Sequence, residues 1–136
     1  MNLIVCIDDN NGLLFNKLRQ SSDSEVINRI VEIIEDNKLL CNSYTAKLFD
    51  NKKCNQVIND EFLNIAEEND YCFLENSDII PYINNVKKLI IYHWNRKYPS
   101  DKKFPTEDFL KFMKKSSTYE FKGNSHDKIT EEIYIV

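Results

Sequence analysis

The chain has 136 residues, 42% of them hydrophobic, with a formal net charge of −4 and only two glycines, Gly12 and Gly123. Its size suits one domain built on a continuous core, and its acidic balance argues against a nucleic-acid partner. Glycine lets backbone amides approach a phosphate closely; average usage would supply about nine or ten of them, and here G-x-G-x-x-G and G-x-x-x-x-G-K-[ST] do not occur.

Residues 1–7 form a short apolar run that reads as a buried strand, closed by Asp8-Asp9-Asn10-Asn11-Gly12, a set of turn formers. Asp8 and Asn10 are ordinary in such a turn, and they are also candidates for a loop over a pocket. Ser22-Asp23-Ser24-Glu25 fits a capping box, with Ser22 as the cap and Glu25 reaching back. Val26, Ile27, Ile30, Val31 and Ile34 then predict a helix over 23–35. Residues 38–42 read as a second strand, and Ser43 caps a short helix carrying Tyr44, Lys47, Leu48 and Phe49. After Val57-Ile58, Asn59 or Asp60 caps a further helix ending near Glu68; residues 71–74 are strand-like, and 77–82 lead through Pro81 into a short helical piece.

The span 88–94 is the longest strand candidate, followed by a polar excursion over 95–105. Strands at 118–122 and 130–136 bracket Gly123-Asn124-Ser125-His126-Asp127 as an antiparallel hairpin. Strand and helix alternate before this closing hairpin. The expected architecture is therefore α/β: a single domain over 1–136 with a mixed, mostly parallel central sheet, flanking helices and a C-terminal antiparallel hairpin.

No run of eighteen apolar residues offers a membrane span, and the N-terminal run reaches Asp8 too soon for a signal peptide, so the expectation is a cytoplasmic protein. The four cysteines lack a C-x-x-C spacing, and Cys6, Cys41 and Cys72 sit in strand-like runs where a thiol packs as a small hydrophobe. His93 lies in a strand and His126 in the last loop. They could meet in space, but the dense His/Asp clusters of metal hydrolases are absent, so both read as structural and no metal is expected. Tyr92, Trp94, Arg96 and Tyr98 would alternate with Lys88 and Ile90 on one strand face, a candidate interaction ridge. Charge divides unevenly, −8 over residues 1–85 and +4 over 86–136, which folding would intermix.

Two stretches resemble the dihydrofolate reductase family: residues 3–12, a Leu-Ile-Val strand running into an Asp-x-Asn-x-Gly loop, and then Lys88-Leu89-Ile90-Ile91-Tyr92-His93, Asp101-Lys102-Lys103-Phe104-Pro105, Asn124-Ser125-His126 and Glu132-Ile133-Tyr134. The resemblance implies that fold over most of the chain. It also implies what is missing. The family presents an Asp or Glu from its first helix to the pterin, where this chain has Val26 or Ile27; Glu25, one residue away, would point elsewhere. The family's Gly-Arg-x-Thr corresponds to Asn42-Ser43-Tyr44-Thr45, keeping only Thr45, and its Gly-Gly-Gly to Glu75-Asn76-Ser77. A further family strand and part of its cofactor wall are missing around residues 50–54, and the Tyr92 position, usually Thr, carries a phenol able to fill the pocket.

The resemblance thus implies a shortened, divergent member with a degenerate site, no NADPH and no other cofactor. Its expected role is a small-ligand-binding or interaction module without reductase activity, monomeric or homodimeric, with a small molecule or a protein as partner. The alternative is a divergent enzyme acting on a pterin-like or other heterocycle through a pocket of Asp8, Asn10, Tyr44, Glu75, Tyr92 and His93. A nuclease or RNA-processing factor using His93 and His126 ranks below both.

Overall fold

Strand β1 (Asn2–Ile7) has no wet face: Leu3, Val5 and Ile7 enter one apolar layer and Ile4 the other. A strand apolar on both sides belongs at the centre of a sheet covered twice. In the computed structural model, which describes residues 1–136, β1 is indeed central. It pairs in parallel with β6 (Tyr71–Phe73) and β7 (Lys88–His93). Beyond β6 lie β4 (Lys38–Cys41) and β5 (Asn55–Ile58), also parallel. Beyond β7 lie β10 (Ile129–Ile135) and β9 (Lys114–Phe121), both antiparallel to their neighbours, giving the order β5-β4-β6-β1-β7-β10-β9. The α/β domain with a mostly parallel sheet and a closing hairpin is the architecture found.

Helix α1 (Ser24–Ile34) covers one face, burying Val26, Ile27, Ile30 and Ile34 against Ile90, Tyr92 and Trp94 in a 13-residue core cluster. The opposite face carries a 19-residue cluster in which Leu89, Ile91 and Leu40 meet Phe62, Phe104 and Phe109. α2 (Ser43–Ala46) runs on as a 3-10 turn, Lys47–Phe49; α3 (Phe62–Ile65), a 3-10 helix at Ile80–Asn85 and α4 (Thr106–Leu110) are short.

Several expectations are corrected. The cap of α1 is Asp23, not Ser22: Asp23 Oδ1 accepts from the Glu25 amide at 2.9 Å, while the Glu25 side chain is exposed and closes no box. Asn42, not Ser43, caps α2, because β4 ends at Cys41 and leaves Asn42 extended with its side chain on the Thr45 amide, 3.0 Å away. The helix expected to reach Glu68 stops at Ile65, where Ala66 turns extended (φ −64°, ψ 135°) once Phe62 and Leu63 are buried. β9 begins at Lys114, ahead of the expected 118, through residues that are polar and exposed. α4 was not foreseen, nor was a second sheet, β3-β2-β8, made of β2 (Gly12–Phe15), β3 (Leu18–Arg19) and β8 (Lys102–Lys103). Strands of two to four residues show no periodicity to read.

Neither glycine has a positive φ. Each is instead closely walled by side chains: a Cβ on Gly12 would lie 2.5 Å from Gln20 Nε2, 2.8 Å from Ser100 Cβ and 2.9 Å from Asp8 Oδ1, and one on Gly123 2.5 Å from Asp23 Oδ2.

Candidate functional site

Ligands of open parallel sheets bind at the carboxyl ends of the strands. Here those ends bring together Cys6 of β1, Glu75 just after β6 and Trp94 just after β7. The three border two small cavities that also share Ser21, each of about 10 Å³, room for a single water. Val26 and Ile27 of α1 line the first.

Two carboxylates border these cavities, and both are already engaged. Asp23 accepts from the Asn124 amide at 2.8 Å, the Ser125 amide at 2.9 Å, the Glu25 amide and His126 Nδ1 at 2.9 Å. Burial alone would raise its pKa, but these donors together hold it far below the usual carboxylate range. His126 is buried, stacked on Trp94 at 4.6 Å, with Nε2 in reach of Ser21 Oγ and the Tyr98 hydroxyl. Asp23 escaped the sequence reading because its partners sit a hundred residues away; its place just before an amphipathic run was the available signal.

The second carboxylate is Glu75. Arg19 of β3 forks onto it, Nε 2.8 Å from Oε2 and Nη2 2.9 Å from Oε1, while Thr45 Oγ1 donates to Oε1 at 2.8 Å. The guanidinium lies 4.3 Å from the Tyr44 ring centroid, and the Arg19 amide donates to the Tyr44 hydroxyl. Arg19, which no sequence motif singled out, thus links Tyr44 to Glu75. Arg19 also offsets the charge of Glu75, so anion repulsion at that carboxylate is weaker than the bare sequence implied.

The remaining candidates lie apart. Asp8 organises its own loop, accepting from the Asn10, Gly12 and Tyr98 amides and from Gln20 Nε2; burial raises its pKa, and these bonds lower it overall. Asn10 is exposed and contributes only its backbone. Tyr92 lines neither cavity: its hydroxyl donates to the buried Glu131, which also takes a fork from Arg29 of α1. Burial, then Glu131, pushes that phenol well above its usual value. His93 bonds Glu132, itself paired with Lys115, so the two histidines have separate partners and form no joint site.

The ridge does not form, because β7 ends at His93 and Asn95 turns the chain with φ 59°. Trp94 is buried, Tyr98 half-buried on His126, and Arg96 exposed beside an open hollow of about 420 Å³ lined by both charge signs. No three His, Cys, Asp or Glu side chains converge as a metal set. The loops after β4 and β6 are tied together, Asn42 Nδ2 donating to Asn76 Oδ1 at 2.6 Å, with Lys102 Nζ donating to the Asn76 and Ser77 carbonyls.

No described protein family matches the sequence, and no curated protein does. Among solved structures, the chain is similar to dihydrofolate reductase from Enterococcus faecalis, complexed with NADP(H) and RAB-propyl. The TM-score is 0.69 at 10% identity, covering 98% of this chain and 94% of that one. At that identity the likeness establishes the dihydrofolate reductase-like fold.

Proposed function

We propose that this dihydrofolate reductase-like domain carries out no reductase chemistry and serves as a small-ligand-binding or interaction module. One observation carries the reading: the cleft at the strand ends is shut by the chain's own side chains, with its two carboxylates, Asp23 and Glu75, taken up by internal donors. Pterin recognition needs a free carboxylate on the α1 side of the cleft. Here Val26 and Ile27 are apolar, and Asp23, fully desolvated, has no acceptor to spare. Hydride transfer needs a nicotinamide beside that ring, and by the resemblance the loops that would meet its phosphates carry Asn42 and Glu75-Asn76-Ser77 in place of glycine. Such a plugged cleft opposes a divergent enzyme, which calls for an open pocket with convergent polar groups.

The four free thiols, three of them within strands, suit a reducing, cytoplasmic setting. Equilibrium titration of the purified chain with NADPH and dihydrofolate, followed by Trp94 fluorescence and by absorbance turnover, tests the reading. No saturable binding of either is expected; micromolar binding of both with turnover overturns it.

A further inference from the structure

The seven-stranded sheet ends on one side at β9, and that edge is bare. The Trp94 amide donates to the Ile7 carbonyl, so even residues of β7 turn their backbone groups to β1 and odd ones to β10. Carried through the registers, this bonds Ile129, Glu131 and Ile133 of β10 to Phe121, Tyr119 and Ser117 of β9. Thr118 and Glu120 therefore hold N–H and C=O outwards, and no other segment of the chain bonds them. β9 is exposed from Lys114 to Glu120, so neither loop nor helix covers this row.

The two faces beside the edge differ. On the α1 side Tyr119, 48% accessible, stacks on Phe121 and carries Arg29 over its ring. On the other side Lys115 reaches Glu132, and Lys122, next after Phe121, turns the same way by alternation. From Lys111 to Lys128 five lysines face two acids, Glu120 and Asp127. Lys114 and Lys122, at the two ends of β9, pair with no carboxylate. Lysines on a free edge deter a like strand, and a second copy laid antiparallel along β9 would bring the lysines at its ends against those of the first. An extended segment with acidic side chains meets the same row without that repulsion.

We propose that the β9 edge docks an extended segment of a partner protein in which acidic side chains alternate with apolar ones, added as an eighth strand. Its backbone bonds the N–H and C=O groups of Thr118 and Glu120, its acidic side chains lie toward Lys115 and Lys122, and its apolar ones cover Tyr119. The proposal rests on the interaction reading above and not on the closed cleft, whose cavities none of these residues borders.

The probes are a capped octapeptide of alternating glutamate and valine and its lysine–valine counterpart, titrated into the unaltered chain at low salt. Saturable binding of the acidic peptide alone is expected, with hydrogen exchange at the Thr118 and Glu120 amides slowed about tenfold or more and the Tyr119 amide, already bonded to Glu131, little changed. Sodium chloride at about 0.5 M is expected to weaken binding several-fold, as is Lys114→Glu with Lys122→Glu, both at exposed positions. Thr118→Pro removes an outward donor and no bond to β10, and is expected to abolish binding with Trp94 emission unchanged; where that variant does not fold, the charge-reversed one decides. Unmoved Thr118 and Glu120 amides at millimolar acidic peptide overturn the proposal, as does equal binding of the lysine peptide. Protection of those amides by rising protein concentration alone would put a second copy on the edge and overturns it too. Reductase turnover overturns the reading of the cleft and leaves the exchange pattern in place, so the two failures are distinct.

Discussion

At the scale of single residues, stability concentrates in buried carboxylates that gather many donors. Gly123→Ala forces a methyl to 2.5 Å from Asp23 Oδ2 and 2.9 Å from the His126 carbonyl, so the network must part. A loss of about 2 kcal/mol or more is expected from urea unfolding. Asp23→Asn turns one acceptor into a donor facing donors, for an expected loss of about 3 kcal/mol. The pH dependence follows from the sign of the shifts. Asp8 and Asp23 titrate lower when folded, so their stabilisation is complete above the unfolded value of about 3.9 and drains away as acid reaches their folded values. Urea midpoints are expected to be flat from pH 7 to 5 and to fall below about pH 4, with a shallower fall in Asp23→Asn. On the far side of α1, Arg29→Ala strands the buried Glu131 with Tyr92 as its one remaining partner; about 3–5 kcal/mol of destabilisation is expected, against about 1 kcal/mol for Tyr92→Phe.

At the scale of elements, the turn between β2 and β3 is the weak joint. Asn16 and Lys17, both with positive φ (52° and 67°), make a two-residue hairpin turn that favours Asn-Gly, and Lys17 bears the steric strain of that region. Lys17→Gly is expected to stabilise by about 0.5–1 kcal/mol in thermal unfolding, and a lowered melting temperature would contradict the turn assignment. The elements legible from sequence were those long enough to show a period. α1 announced itself through Val26, Ile27, Ile30 and Ile34, and β7 through an unbroken apolar run. β3 and β8, two residues each, exist only because β2 lies between them, and no local signal in Leu18–Arg19 foretold it. The candidate site divides along the same line: Glu75 and Tyr44 could be named from motif positions, whereas Arg19 reaches them only by tertiary folding.

At the scale of the whole molecule, two apolar layers share one sheet, and β1 and β7 alternate residues between them. Neither layer has a wall of its own, so the chain is expected to unfold as one unit. Trp94, the only tryptophan, reports on the α1 layer from its stacked place on His126. Its emission and the far-ultraviolet circular dichroism are expected to change at the same urea concentration; separated transitions would mean two cooperative units.

The pairing of each glycine with an aspartate has an evolutionary corollary. Each bare α-carbon is hemmed by an acid and a further neighbour, Asp8 with Gln20 and Ser100 at position 12, and Asp23 with the His126 carbonyl at position 123. Random libraries selected for folded protein should therefore keep glycine at 123 whatever stands at 23, because the His126 carbonyl closes the same space.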